Sequence, residues 1–214
     1  MKAALDNDIL HKGICYGILP ELLGNYGGAS KEIGILGAAR FVLRGNIEKR
    51  RLNRGTAAAL LELAKWIPKL IEMEPTSEEQ SLAAEFELIA QRMSANLDVG
   101  ESQLCAMVVV REIPVLLTGD KRAIAAVEQL LDGHERLGKI RKKLRCLEQL
   151  VLDIIAPSNL EAIRTAVCME PEVDKTLAIC FACASPAVEP SEIAEGLNSY
   201  IKSLREVARR VLAD

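Results

Sequence analysis

Apolar residues recur along this chain with more than one period, and the alternation predicts its elements. Ala3, Ala4 and Leu5, ending on Asp6, read as a short buried strand. Over residues 9–23, Ile9, Leu10, Ile14, Ile18, Leu19 and Leu22 fall at helical spacing, with a bend expected at Pro20. Residues 25–28 read as a turn. Residues 33–43 (IGILGAARFVL) suit a strand, a helix or one followed by the other. Thr56 is the expected N-cap of a helix running to residue 70 and ended or bent by Pro68. Thr76, with Glu79 at the capping-box position, opens another that runs to Met93. Asp98 or Gly100 starts the next, with Leu104, Cys105, Val108 and Val109 on one face. Residues 114–118 (PVLLT) read as a buried strand with Asp120 just past its carboxyl end, and residues 123–131 as a helix closed by Asp132-Gly133.

Short strands alternating with longer helices imply an α/β domain around a mainly parallel sheet. After residue 134 the pattern changes. Residues 134–155, 159–168, 174–184 and 191–212 read as helices with no strand between them, punctuated by Pro157, Pro171, Pro186 and Pro190. The expected organisation is therefore an α/β domain over residues 1–133 and an all-helical extension, or small helical domain, over 134–214. In its last helix Ile201, Leu204, Val207, Ala208, Val211 and Leu212 form an apolar stripe opposite Lys202, Arg205, Arg209 and Arg210, which suits packing within the chain better than an interface.

Half of the 214 residues are hydrophobic but aromatics are only 3%, so the core must be built from Ala, Leu, Ile and Val. No apolar run approaches the ~18 residues needed to span a bilayer, and no membrane role is expected. Asp6 and Asp8 interrupt the only apolar start, which argues against a signal peptide. The six cysteines lie in apolar or helical contexts, so free, mostly buried thiols in a reducing cytoplasm are expected. Cys180 and Cys183 have zinc-ligand spacing without a second pair to complete a set. Net charge is −3, but residues 44–54 concentrate Arg44, Lys49, Arg50, Arg51 and Arg54, and residues 139–145 carry five basic residues in seven. The first cluster suits phosphate contacts along a nucleic-acid backbone, with Arg50 and Arg51 as substrate-binding candidates.

The informative chemistry is acidic. Leu97-Asp98-Val99-Gly100-Glu101 opens a helix, Leu117-Thr118-Gly119-Asp120-Lys121 follows a strand, and Asp6 ends the first strand. Ligand sites in parallel α/β sheets gather at the carboxyl ends of strands, where Asp6 and Asp120 are expected. Carboxylates gathered without His or Cys suit Mg2+ or Mn2+, whose usual work at such sites is phosphodiester hydrolysis. Asp6, Glu101 and Asp120 are the expected metal ligands, with Asp98 as a further metal-side acid. Thr118, Lys121 and Arg122 flank them as candidate substrate contacts. The plainer reading makes each acid a helix cap or turn residue, but it does not explain the set together.

The arrangement resembles the PIN-domain nucleases over residues 1–131. Leu5-Asp6-Asn7-Asp8-Ile9-Leu10 matches the family's first strand and helix start, and Glu62-Leu63 its second acid. Asp98-Val99-Gly100-Glu101 matches the Asp-x-Gly-Glu motif of one branch, and Thr118-Gly119-Asp120-Lys121 the Thr-x-Asp-Lys that delivers the last acid. The resemblance implies a three-layer α/β/α fold with a central, mainly parallel sheet and a Mg2+- or Mn2+-dependent nuclease. It implies RNA ahead of DNA as substrate, catalytic acids Asp6, Glu62, Glu101 and Asp120, and a possible antitoxin-like protein partner or homodimer. A haloacid-dehalogenase-like phosphatase using Asp6 and Asp8 is the weaker enzyme reading, since the later acidic motif of that family is missing. A binding module that keeps the fold without catalysis is the reading from another class.

Overall fold

The structure, a computed structural model, describes residues 1–27 and 31–214; Gly28 of the expected turn lies outside them. Five short strands form one parallel sheet in the order β3-β2-β1-β4-β5, with β1 at Ala3–Leu5, β2 at Ile33–Leu36, β3 at Ile71–Met73, β4 at Leu116–Leu117 and β5 at Leu144–Arg145. Ala3 stands opposite Ile33, and Leu5 opposite Leu117. The run Ala3-Ala4-Leu5 is wholly buried, as expected of a central parallel strand covered on both faces. Ala3 and Leu5 enter one apolar cluster and Ala4 the other, because successive side chains of a strand point to opposite faces.

The chain steps outward from β1 to β2 and β3, then returns to the far side of β1 with β4 and β5. That reversal opens a crevice at the carboxyl ends of β1 and β4, the usual ligand position in an open parallel sheet. Between the strands run α1 (Asn7–Tyr16), α2 (Leu19–Leu23), α3 (Ala39–Glu48), α4 (Thr56–Trp66), α5 (Ser77–Met93), α6 (Val99–Val110) and α7 (Lys121–Leu130). The expected 9–23 helix is two helices. Gly17 ends α1 in the left-handed region, at φ 75°, rather than Pro20 bending it. Residues 33–43 form a strand and then a helix. Thr76 and Glu79 close the expected capping box on α5. α4 ends at Trp66, and Gly55, not Thr56, holds its N-cap position.

Three expectations are corrected. No strand is expected between the helix ending at residue 70 and the one opening at Thr76, yet Ile71-Glu72-Met73 pairs with β2; only three residues long, with Glu72 in its centre, it carries no strand pattern. Residues 134–155 do not form one helix. They give a 3-10 turn at Glu135–Ile140, then β5, then α8 (Leu147–Ile154). The sheet thus extends past residue 133, and the region beyond is not all helix. Its basic run is spent internally, with Lys139 on Glu112, Lys142 on Asp214 and Arg145 on Asp153. Finally, Cys168 and Cys183 form a disulfide, so free thiols describe only Cys15, Cys105, Cys146 and Cys180, all buried.

The last helices are α9 (Leu160–Met169), α10 (Lys175–Cys180) and α11 (Pro190–Val207). Ile193 and Leu197 of α11 enter one apolar cluster, and Ile201 and Leu204 the other. The apolar stripe is therefore core, except at Val207, which is exposed. Leu212 bridges to Leu144 and covers the outer edge of β5. Among the described residues no helix is long and apolar enough to cross a membrane.

Candidate functional site

Asp6 follows β1 at the N-cap position of α1, yet its side chain makes no capping hydrogen bond. Its backbone N–H donates to Leu117 O at 2.9 Å, and the Thr118 hydroxyl donates to its Oδ2 at 3.0 Å. Thr118, 4% exposed, also accepts from Asp120 N at 3.3 Å. It therefore positions the first and last acids of the site and has no surface to offer a substrate. Burial pushes the Asp6 carboxyl up to about 6, against the Thr118 hydrogen bond and with help from the charges of Asp8 and Asp98.

Asp98 caps α6, and Glu101 completes the box. Glu101 N donates to Asp98 Oδ1 and Asp98 N to Glu101 Oε2, both at 2.8 Å. The capping reading is correct as far as it goes, but it uses one oxygen of each carboxylate. Glu101 is pushed up to about 7, first by burial, against the Asp98 amide, then by the charges of Asp98, Asp120 and Asp6. Asp120 caps α7 by accepting from Arg122 N at 2.8 Å and Ala123 N at 3.3 Å. Its Oδ2 accepts from Arg122 Nη2 at 2.8 Å. Burial raises its pKa, but the side chain and amides opposite outweigh this and hold it below the ordinary carboxylate value.

Asp6, Asp98, Glu101 and Asp120 line one cleft of about 550 Å3, with Asn7, Asp8, His11, Leu36, Val42, Asn46, Val99 and Gly100. The site is all oxygen donors but for His11, whose imidazole burial pushes down to about 4, helped by Arg50 and Lys12. Two carboxyls held above the ordinary range, first by burial and then by the charges of neighbouring acids, are what a divalent cation relieves. As they stand, no three His, Cys, Asp or Glu side chains among the described residues are gathered tightly enough to coordinate an ion. Asp98, Glu101 and Asp120 are turned toward helix amides and Arg122 instead.

The other expected site residues lie elsewhere. Glu62 pairs with Arg54 Nη2 at 2.7 Å beside Pro20, Leu61, Lys65 and Trp66, outside the acid cleft. Lys121 turns away to Glu148 Oε1 at 2.5 Å and Thr176 Oγ1 at 3.0 Å, with the Tyr200 ring beneath it. Arg50 donates to Glu172 O at 3.1 Å, and Arg51 is exposed. Of these side chains Arg122, paired with Asp120 and 74% exposed, is the one that stays beside the acids.

Sequence reading missed Lys12, Asn46 and Asp174, and gave Asp8 a chemical role only as half of a phosphatase pair, beside its place in the first-strand match. Asp8 and Lys12 pair at 2.5 Å across one helical turn, a spacing legible in advance. Asp174, 2.8 Å from the same ammonium, arrives from more than 160 residues away without local signal. Gly119 carried the clearest hidden signal, since a Cβ there would overlap the Asp8 carboxylate.

Comparison with family models, curated proteins and solved structures returns no match, so the site is read from its own geometry.

Proposed function

We propose that this chain is a metal-dependent nuclease acting on RNA ahead of DNA, with a PIN-like three-layer α/β/α arrangement. One observation carries the reading: Asp6, Asp98, Glu101 and Asp120 share a cleft at the carboxyl ends of β1 and β4, and Asp6 stands there half-buried without a capping role. The apolar clusters on both faces of the sheet support the layered architecture. The acids suit a hard cation by donor type, and the reading requires Glu101 and Asp120, with Asp98 beside them, to turn from their helix amides and Arg122 to hold it with Asp6. Mg2+ or Mn2+ bound there supplies an acidified water and neutralises charge on the phosphate and the leaving oxygen.

The chain's own residues do the rest. Thr118 fixes the Asp6 carboxylate from below. The capping box holds Asp98 and Glu101 while leaving one oxygen of each outside it. Arg122, exposed and bidentate on Asp120, is the side chain assigned to a phosphate oxygen. Asn46 and Asn7 offer amides on the cleft wall.

The test is cleavage of labelled single-stranded RNA and DNA with Mn2+, Mg2+ or EDTA, using wild type and Asp120→Asn. The reading expects metal-dependent cutting, RNA ahead of DNA, that Asp120→Asn abolishes. Cutting that survives EDTA, or that Asp120→Asn leaves intact, contradicts it.

A further inference from the structure

Lys12 is a buried cation that the proposed chemistry leaves unused. It stands on α1 one turn beyond Asp8, and 12% of its side chain is exposed. Its ammonium lies 2.5 Å from Asp8 Oδ2 and 2.8 Å from Asp174 Oδ2. Asp8 lines the acid cleft. Asp174 caps α10, its Oδ1 accepting from Leu177 N at 2.9 Å. Gly119 closes the third side: a Cβ there would meet Asp8 and stand 3.3 Å from Lys12 Nζ.

The pair cannot easily swing apart. Glu170 Oε1 accepts from Arg54 N at 2.6 Å, Glu172 O from Arg50, and Thr176 Oγ1 from Lys121. The turn that delivers Asp174 is therefore fastened from α1, α7 and the α3–α4 connection. An ammonium held between two carboxylates, with its surroundings locked, is a permanent charge of the site.

We propose that Lys12 is a fixed internal cation standing where a second metal ion would bind beside Asp8, so that the site takes one divalent ion rather than two. The inference rests on the metal-dependent reading. Two-metal phosphodiester sites hold their ions roughly 3.5–4 Å apart with carboxylates between them. Here the carboxylate on that side, Asp8, gives its inner oxygen to Lys12, and a second dication would be repelled by the ammonium already there. The single ion then sits on the Asp6, Asp98, Glu101 and Asp120 side. The carboxy-terminal region, through Asp174, holds the internal cation in position.

The experiment counts Mn2+ bound by the full chain, by calorimetry and by the electron paramagnetic resonance signal of free Mn2+. Wild type binds one ion, and Lys12→Met, which leaves Asp8 and Asp174 facing each other, binds a second. In Asp8→Asn the affinity for the single ion stays within about threefold, against the ~10–100-fold that loss of metal support costs. Two ions on wild type, or a folded Lys12→Met that still binds one, overturn the proposal. Should Lys12→Met fail to fold, the wild-type count and Asp8→Asn decide, and a tenfold or greater loss in Asp8→Asn overturns it. If wild type binds no Mn2+, the metal-dependent reading itself falls and this inference with it, an outcome distinct from two ions on both proteins.

Discussion

Asp6 stands where helix caps stand and makes no capping hydrogen bond, so helix capping does not account for its carboxyl. Its neighbours Asp98, Glu101 and Asp120 do cap, so for them the proposed chemistry adds to a structural role. All four were legible because each ends a strand or opens a helix in a recognisable motif. Side-chain direction was not legible. Thr118 turned inward to Asp6, Lys121 to Glu148 and Arg50 to a backbone carbonyl, because partners from distant segments decide orientation. A carboxyl whose folded-state pKa is raised holds its proton more tightly folded than unfolded. Its stabilising contribution is complete at low pH and is lost as pH climbs through the folded value, about 7 for Glu101. Glu101→Gln carries no such charge. In EDTA at pH 8 the variant should exceed wild type in stability by roughly 1–3 kcal/mol. The gap should close as pH falls toward the ordinary value of 4.5. Urea denaturation at both pH values checks this, and a variant weaker than wild type at pH 8 would count against the buried-charge account.

At the scale of elements, helices with strong caps were found and weak strands were not. The Thr76–Glu79 box and the Asp98 start are local signals, and both helices form where those signals fall. β3 and β5 have three and two residues, with a Glu and an Arg among them, and exist because a neighbouring strand pairs with them. β1 and β4 are no longer, but each lies in an unbroken apolar run, which β3 and β5 lack. The two capping boxes also differ in what they support. Glu79 is 1% exposed and takes Arg111 bidentately at 2.6 and 2.7 Å, while Asp98 is exposed. Glu79→Ala, which strips a buried partner from Arg111, should cost roughly 3 kcal/mol. Asp98→Ala should cost about 1 kcal/mol, the usual worth of an N-cap. Equilibrium unfolding ranks the two, and the reverse order would show that burial of the Arg111 pair contributes little.

At the scale of the molecule, the break expected at residue 133 is not where the sheet ends. Leu144 and Arg145 extend it, and Leu147, Leu150, Val167, Leu177 and Leu197 share an apolar cluster with Leu5, Ile9 and Leu22. The pattern after residue 134 pointed to helices but showed neither β5 among them nor that these helices complete the same core. A chain ending at residue 133 should therefore lack near-ultraviolet circular dichroism and cooperative unfolding, since it loses one side of both clusters. Two-state unfolding of that fragment would contradict a shared core.

The central claim is that the acids at the carboxyl ends of β1 and β4 perform phosphodiester hydrolysis. Single-turnover cleavage of labelled RNA in Mn2+ tests it most directly, comparing wild type, Asp6→Asn and Glu62→Gln. The account predicts a loss of roughly 10²–10³-fold for Asp6→Asn, the scale seen when a charge-stabilising group is removed. It predicts an essentially unchanged rate for Glu62→Gln, whose carboxylate is spent on Arg54. An active Asp6→Asn, or an equal loss in Glu62→Gln, would contradict it.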